Sequence, residues 1–334
     1  MAAMGARSIP ILDPEWVKLV EPTLPEAHRH TAISIDAARR GMAELDAAKV
    51  LALDKEMPEL KKGLEISNIM VAMRDGEDLE MRIFKPENGE SLPVYLGYHG
   101  GGWSAGSNDS EELLNRNVSK TLKVIVFSLA YRLAPEHPFP VPFNDAEDGL
   151  KWVYENASRF GGDVKKGFVC GGTSSGGHLA ALATFRAQEH GIPVSGCFSR
   201  APMVLNRSVA KESWKETLDI LPKDVYTPLL NWETCERFYE YMSIPLEELT
   251  NPANFPIFAN SFEKFPRTYM QVPGIDPLSG EGVLYEKVLR ENGVETKIDL
   301  YPNMPHPFHN FPQLTTARKS IADAMTGLRW LFRF

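Results

Sequence analysis

Cysteine is scarce: the 334 residues hold only Cys170, Cys197 and Cys235. So few thiols, odd in number, in a chain of this size argue against a disulfide framework. Cys170 and Cys197 stand in apolar, strand-like runs, where a thiol packs as a small hydrophobe. Basic charge is also short, with 36 Lys and Arg against 44 Asp and Glu and a formal net charge of −8. No cationic excess is available to neutralise phosphates, which argues against nucleic-acid binding. No apolar run approaches the ~20 residues of a bilayer span, so no membrane partner is expected. Met1–Asp13 lacks the apolar core of a secretory signal. The Asn-x-Ser/Thr sequons at Asn108, Asn117, Asn156 and Asn206 are then expected to be chance, and a reducing, cytoplasmic location fits.

A hydrophobic content of 43% over this length supports a large core, and open α/β sheets often run past the usual domain size as one unit. The first ~60 residues read as helical and charged, for example Trp16–Val20 and Ala37–Leu53. Ile66–Met73 and Leu79–Lys85 then flank Asp75-Gly76 as a hairpin. Strand-like runs at Val94–Tyr98, Val124–Tyr131 and Gly167–Gly171 alternate with helical stretches near Glu111–Leu122, Phe143–Phe160 and Gly177–Glu189. That alternation implies a mostly parallel, doubly wound sheet, with antiparallel strands at one edge. It breaks between Leu205 and Phe265, a stretch rich in Trp, Tyr, Phe and Pro. Such an insertion usually covers a site. Strands at Arg267–Val272 and Thr296–Tyr301 and helices at Glu281–Asn292 and Leu314–Leu331 complete the pattern.

Gly172-Thr173-Ser174-Ser175-Gly176 fits G-x-S-x-G, but so does Gly102-Trp103-Ser104-Ala105-Gly106. Context separates them. A nucleophilic serine of this kind sits on a sharp turn between a strand and a helix, with small neighbours that permit the strained backbone. Ser174 has Phe168-Val169-Cys170 before it and a helical, Ala-rich run after it. Ser104 is followed by Ser107, Asn108 and Asp109. His99-Gly100-Gly101-Gly102 follows a strand and is expected about 0.003 times by composition. Its glycines let N–H groups converge on one point, which suits the negative charge built on a carbonyl oxygen during ester cleavage. Gly101, Gly102 and the N–H of Ser175 are the candidate donors. A phosphate-cradling loop would need a following Lys-Ser/Thr, which is missing.

A serine hydroxyl requires a base to remove its proton and an acid to orient that base. In this strand–turn–helix class the acid and then the base follow the serine in the chain. Asp276 directly follows a strand and is the candidate acid. His306 and His309 both lie after the last strand, and His306 is favoured. Trp103 and Phe308 flank these motifs as candidates for the acyl or alcohol pocket, with plain packing the alternative. Trp214, Trp232, Phe238 and Tyr239 could form a lid over a bulky natural product or the insertion's own core.

Together these motifs resemble the hormone-sensitive-lipase-like carboxylesterases of the α/β-hydrolase fold. The resemblance spans about residues 94–334. It rests on His99–Trp103 and Gly172–Gly177. Between them lies Tyr131-Arg132-Leu133-Ala134-Pro135-Glu136-His137-Pro138-Phe139-Pro140, and after them Asp276–Gly282 and His306-Pro307-Phe308. It implies an eight-stranded sheet and a helical cap from about 1–60 and 205–262, over a core of about 61–204 and 263–334. It also implies hydrolysis of esters with short to medium acyl chains, with no cofactor and no metal. The cap is similar to those of fungal members, some tied to secondary metabolism. Departures are Thr173 for Asp, Ser175 for Ala and Pro307 for Gly. Thr173 removes a charge beside the nucleophile, and Pro307 stiffens the loop that carries the base. Alternatives are an acyltransferase or cyclase on the same acyl-enzyme, or a receptor on the scaffold, which the presence of His306 disfavours. The expected partner is a small-molecule ester. A homodimer is compatible with the sequence, which does not set the oligomeric state.

Overall fold

The computed structural model describes residues 11–24 and 34–334, so residues 1–10 and 25–33 of the expected cap and N-terminal reading lie outside the described residues. Eight strands form one sheet in the order β1-β2-β4-β3-β5-β6-β7-β8. They are β1 (Leu64–Ala72), β2 (Asp78–Pro86), β3 (Val94–Tyr98), β4 (Ile125–Leu129), β5 (Phe168–Thr173), β6 (Gly196–Arg200), β7 (Thr268–Ile275) and β8 (Thr296–Pro305). The hairpin β1–β2 is antiparallel, and β2 meets β4 antiparallel. From β4 to β8 every pairing is parallel.

Fully buried strands explain the near-continuous apolar runs, since helices cover both faces. Tyr95, Val126, Val169, Phe198 and Tyr269 pack against α3 (Glu112–Leu122) and α9 (Thr315–Phe332). Leu96, Phe127, Cys170 and Met270 face the other way, towards α4 (Val141–Asn156), α5 (Ser175–Ala187) and α8 (Ser279–Glu291). The chain winds from β3 to β4 on one side and returns to β5 on the other. Such a switch point opens a crevice at the carboxyl ends of the strands. β3 there leads into His99–Gly102, and β5 leads into Ser174.

As expected, the stretch between β6 and β7 holds no strand. It carries α6 (Lys215–Leu218), α7 (Trp232–Met242) and several short 3₁₀ turns. Ahead of the sheet lie α1 (Pro14–Leu19) and α2 (Ile35–Glu56). α1 packs on the β8–α9 connection through a separate apolar cluster of Trp16, Val20, Leu24, Tyr301, Met304, Phe308, Phe311 and Leu314. Trp16 meets Phe311 edge-on at 5.2 Å, and Glu15 accepts from Thr315 N at 2.7 Å and Oγ1 at 2.9 Å. α2 is tied down by Arg39. Its Nε donates to the Ser104 carbonyl at 2.7 Å, and Nη2 donates to the Ala134 carbonyl at 2.7 Å. Nη1 and Nη2 also reach Glu136 at 2.8 and 2.6 Å. One guanidinium thus joins α2 to two loops of the core.

Arg39→Lys keeps the charge but loses the planar fork, and Arg39→Ala also leaves two carbonyls unpaired. We expect Arg39→Ala to cost about 1–3 kcal/mol and Arg39→Lys less. Urea denaturation with limited proteolysis of α2 measures this. An unchanged midpoint and digest in Arg39→Ala would show that the clamp contributes nothing.

Candidate active site

Ser174 has φ 58° and ψ −122°, a conformation that costs a non-glycine residue about 1–3 kcal/mol. Surrounding contacts hold it there. Ser174 N donates to the Arg200 carbonyl at 2.8 Å, and the Ser174 carbonyl accepts from His178 N and Met203 N. The flanking glycines are required by close approach. A Cβ on Gly172 or Gly176 would come within 2.4 or 2.1 Å of the Tyr98 carbonyl. β3 and the start of α5 therefore touch backbone to backbone. The second G-x-S-x-G serine, Ser104, is fully buried in a turn of the glycine loop.

Gly101 and Gly102 take φ values of 123° and 61° and line the same cavity as Ser174. A Cβ on Gly102 would lie 2.1 Å from the Phe238 ring, so α7 rests directly on the loop. Ser175 opens α5, so its amide is one of those without a partner inside the helix. Behind the loop, burial lowers the His99 pKa to about 4, and Nδ1–H of the neutral ring donates to the Gly100 carbonyl at 2.8 Å. Tyr131 stacks on His99 at 4.2 Å and donates its hydroxyl to the His99 carbonyl at 2.9 Å. Sequence reasoning had found Tyr131 only as part of a motif; its work is to brace the glycine loop.

Asp276 is fully buried just beyond β7 and receives His306 Nδ1–H at 2.7 Å on Oδ2 and Leu278 N–H at 2.8 Å on Oδ1. A carboxylate on Nδ1 leaves the Nε2 lone pair of His306 available as a base. His309 makes no such pair. It is buried, neither ring nitrogen has a hydrogen-bond partner among the described residues, and burial holds its pKa well below the ordinary value. Glu281, which sequence reasoning placed only in a motif, accepts from Val204 N and Leu205 N at 2.9 and 3.2 Å, and fixes the chain as it leaves β6.

Ser174, His306, Gly101 and Gly102 share a cavity of about 200 Å³. Ala38, Met42 and Leu45 of α2, Leu229, Leu230 and Phe238 of the insertion, and Phe311 supply its apolar wall. Two expected pocket residues are not part of that wall. Trp103, at a positive φ of 57°, is fully buried among Phe143, His178 and Tyr239. Phe308 packs on Tyr301 at 5.0 Å behind His306, and Phe311 lines the cavity instead. Of the four aromatic residues singled out in the insertion, Phe238 reaches the cavity. Tyr239 packs on Trp103, Trp214 on Phe258, and Trp232 under Arg207.

A family model of the α/β-hydrolase fold matches residues 95–310. An AB hydrolase superfamily protein of Schizosaccharomyces pombe is 30% identical over 280 residues, 81% of each chain. Carboxylesterase NlhH of Mycobacterium tuberculosis is 29% identical over 311 residues, 92% of each chain. Among solved structures, vibralactone cyclase superposes with a TM-score of 0.89 at 27% identity, over 98% of this chain and 97% of that one.

Burial raises the Glu281 carboxyl from 4.5 to about 8. The folded state then keeps a proton that the unfolded chain releases, so stability falls as pH rises from about 4.5 to about 8 and levels off above. Glu281→Gln keeps an acceptor for Val204 and Leu205 and removes the titration. Urea denaturation at about pH 5.5, 7 and 8.5 should show a shallower decline in Glu281→Gln than in the unsubstituted protein. Equal slopes would assign the decline to other groups.

Proposed function

We propose that this chain, which belongs to the α/β-hydrolase fold family and within it to the hormone-sensitive-lipase-like carboxylesterases, hydrolyses carboxylic esters with Ser174 as nucleophile, His306 as base and Asp276 as orienting acid. The observation that carries this reading is the 2.7 Å Asp276–His306 pair, whose imidazole borders the same cavity as the strained Ser174 and the glycines Gly101 and Gly102.

His306 Nε2 takes the Ser174 hydroxyl proton as Oγ attacks the ester carbonyl. The tetrahedral oxyanion rests on the N–H groups of Gly101, Gly102 and Ser175, where preorganised donors need no reorientation. The imidazolium, held by Asp276, returns the proton to the departing alcohol, and an acyl-Ser174 ester remains. Water, deprotonated by His306, attacks that ester. The acid leaves and Ser174 regains its proton.

A cavity of about 200 Å³ is small beside the ~300–1,000 Å³ of common ligand sites, which favours short to medium acyl chains. We read α1, α2 and the insertion of about 205–262 as the cap, because Met42 and Phe238 close the cavity from these two segments. Three free, buried cysteines suit a reducing cytoplasm. The likeness to a cyclase favours one second reading, in which a hydroxyl of the same substrate captures the acyl-enzyme in place of water.

Hydrolysis of p-nitrophenyl acetate, butyrate, octanoate and palmitate should fall with chain length and drop at least about 10⁴-fold in Ser174→Ala. Asp276→Asn should lose about 10³–10⁴-fold. Full activity in Asp276→Asn would overturn the acid assignment, and survival in Ser174→Ala would overturn the nucleophile. Mass analysis of products separates hydrolysis from cyclisation.

A further inference from the structure

Besides Ser174 and His306, the largely apolar cavity wall carries the neutral polar side chains of Thr227, Asn231, Thr234 and Asn310, and α2 adds a charge pair. Asp46 and Lys49 both line it, one turn beyond Met42 and Leu45. Asp46 is 2% exposed. Its Oδ2 accepts from Ser110 Oγ at 2.5 Å, and its Oδ1 accepts from Lys49 Nζ at 3.0 Å. The Lys49 side chain is three-quarters buried, and its ammonium lies 5.9 Å from the Phe311 ring centre. An ammonium has three N–H bonds. Asp46 takes one, and no other acceptor of the described residues is bonded to Lys49.

A buried ion pair is weak evidence for a stabilising role. Apolar side chains of similar volume are often as stable in such a place, or more so. The pair is also neutral as a unit, so it suits a neutral acceptor better than an anion. Asp46 gives the Lys49 head a fixed position on the wall, and a fixed charged donor in a largely apolar cavity discriminates more strongly for the oxygen it meets than neutral Thr or Asn groups do.

Resting on the esterase reading above, we propose that Lys49, positioned by Asp46, is a specificity residue that donates to a ketone or hydroxyl oxygen of the substrate remote from the scissile ester. The preferred substrates are then oxygenated esters, and plain hydrocarbon esters are the poorer class.

The test uses matched pairs. p-Nitrophenyl pentanoate, hexanoate and octanoate are compared with their counterparts bearing a ketone one carbon from the chain end. A second series places the same ketone in the alcohol part of butyrate esters. The unsubstituted protein should prefer a ketone ester over its hydrocarbon partner by about tenfold in kcat/KM in at least one series. Lys49→Met should bring that ratio to about one, chiefly through KM. Lys49→Met leaves the Asp46 carboxylate without its cation, so Asp46→Asn/Lys49→Met keeps the site neutral and should behave alike. Thermal melting reports whether each variant folds. A purely structural pair would change stability and leave the ratio untouched. No preference in the unsubstituted protein, or a preference that persists in a folded variant, would overturn the proposal. Hydrolysis of neither series, with Ser174 unlabelled by a fluorophosphonate, would overturn the esterase reading and this inference with it.

Discussion

The strained turn at Ser174 is the constraint around which the molecule is arranged. Its backbone sits at φ 58° and ψ −122°, held by the strands on either side. The Tyr98 carbonyl at the end of β3 presses where Gly172 and Gly176 have no Cβ, and the Arg200 carbonyl of β6 takes the Ser174 amide. A strained residue persists where the surrounding fold holds it. Here the holding elements are adjacent parallel strands, so the position of the proposed nucleophile is inherited from sheet register. The same register puts the glycine loop on the neighbouring strand β3, two strands meeting at the switch point of the sheet.

The other half of the site reaches Ser174 by a longer route. β7 and β8 pair in parallel and end in Asp276 and His306. The apolar cluster around Trp16, Phe308 and Phe311 packs on the connection after His306, so α1 supports the proposed base. α2 closes the cavity while Arg39 binds it to the glycine loop. The segments that shape the substrate space are therefore not passive covers. α2 is hydrogen-bonded to the loop that carries Gly101 and Gly102, and α7 packs directly on it.

The motifs were legible because each carries a local physical demand. A glycine is needed wherever a Cβ would meet backbone at about 2 Å, as at Gly101, Gly172 and Gly176, and that need is visible as letters. Strand and helix periods were legible for the same reason, since burial on a sheet imposes apolar runs. Chain order narrowed the candidates to Asp276 as acid and to His306 or His309 as base. That Asp276 turns to His306 and not His309 is a matter of side-chain direction, three residues apart on one loop.

Pocket membership was not legible. Trp103 and Phe308 adjoin the motifs, yet both rings are buried in the core, Phe308 in the α1 cluster. Phe238 and Lys49 lie far from any motif and line the cavity because α7 and α2 cross above it. The sequence by itself determined the fold class, the strained serine and the glycine loop, each a requirement of the backbone within a few residues. Only the tertiary structure decided which side chains line the cavity, because that depends on how distant helices cross, and no local pattern encodes a crossing.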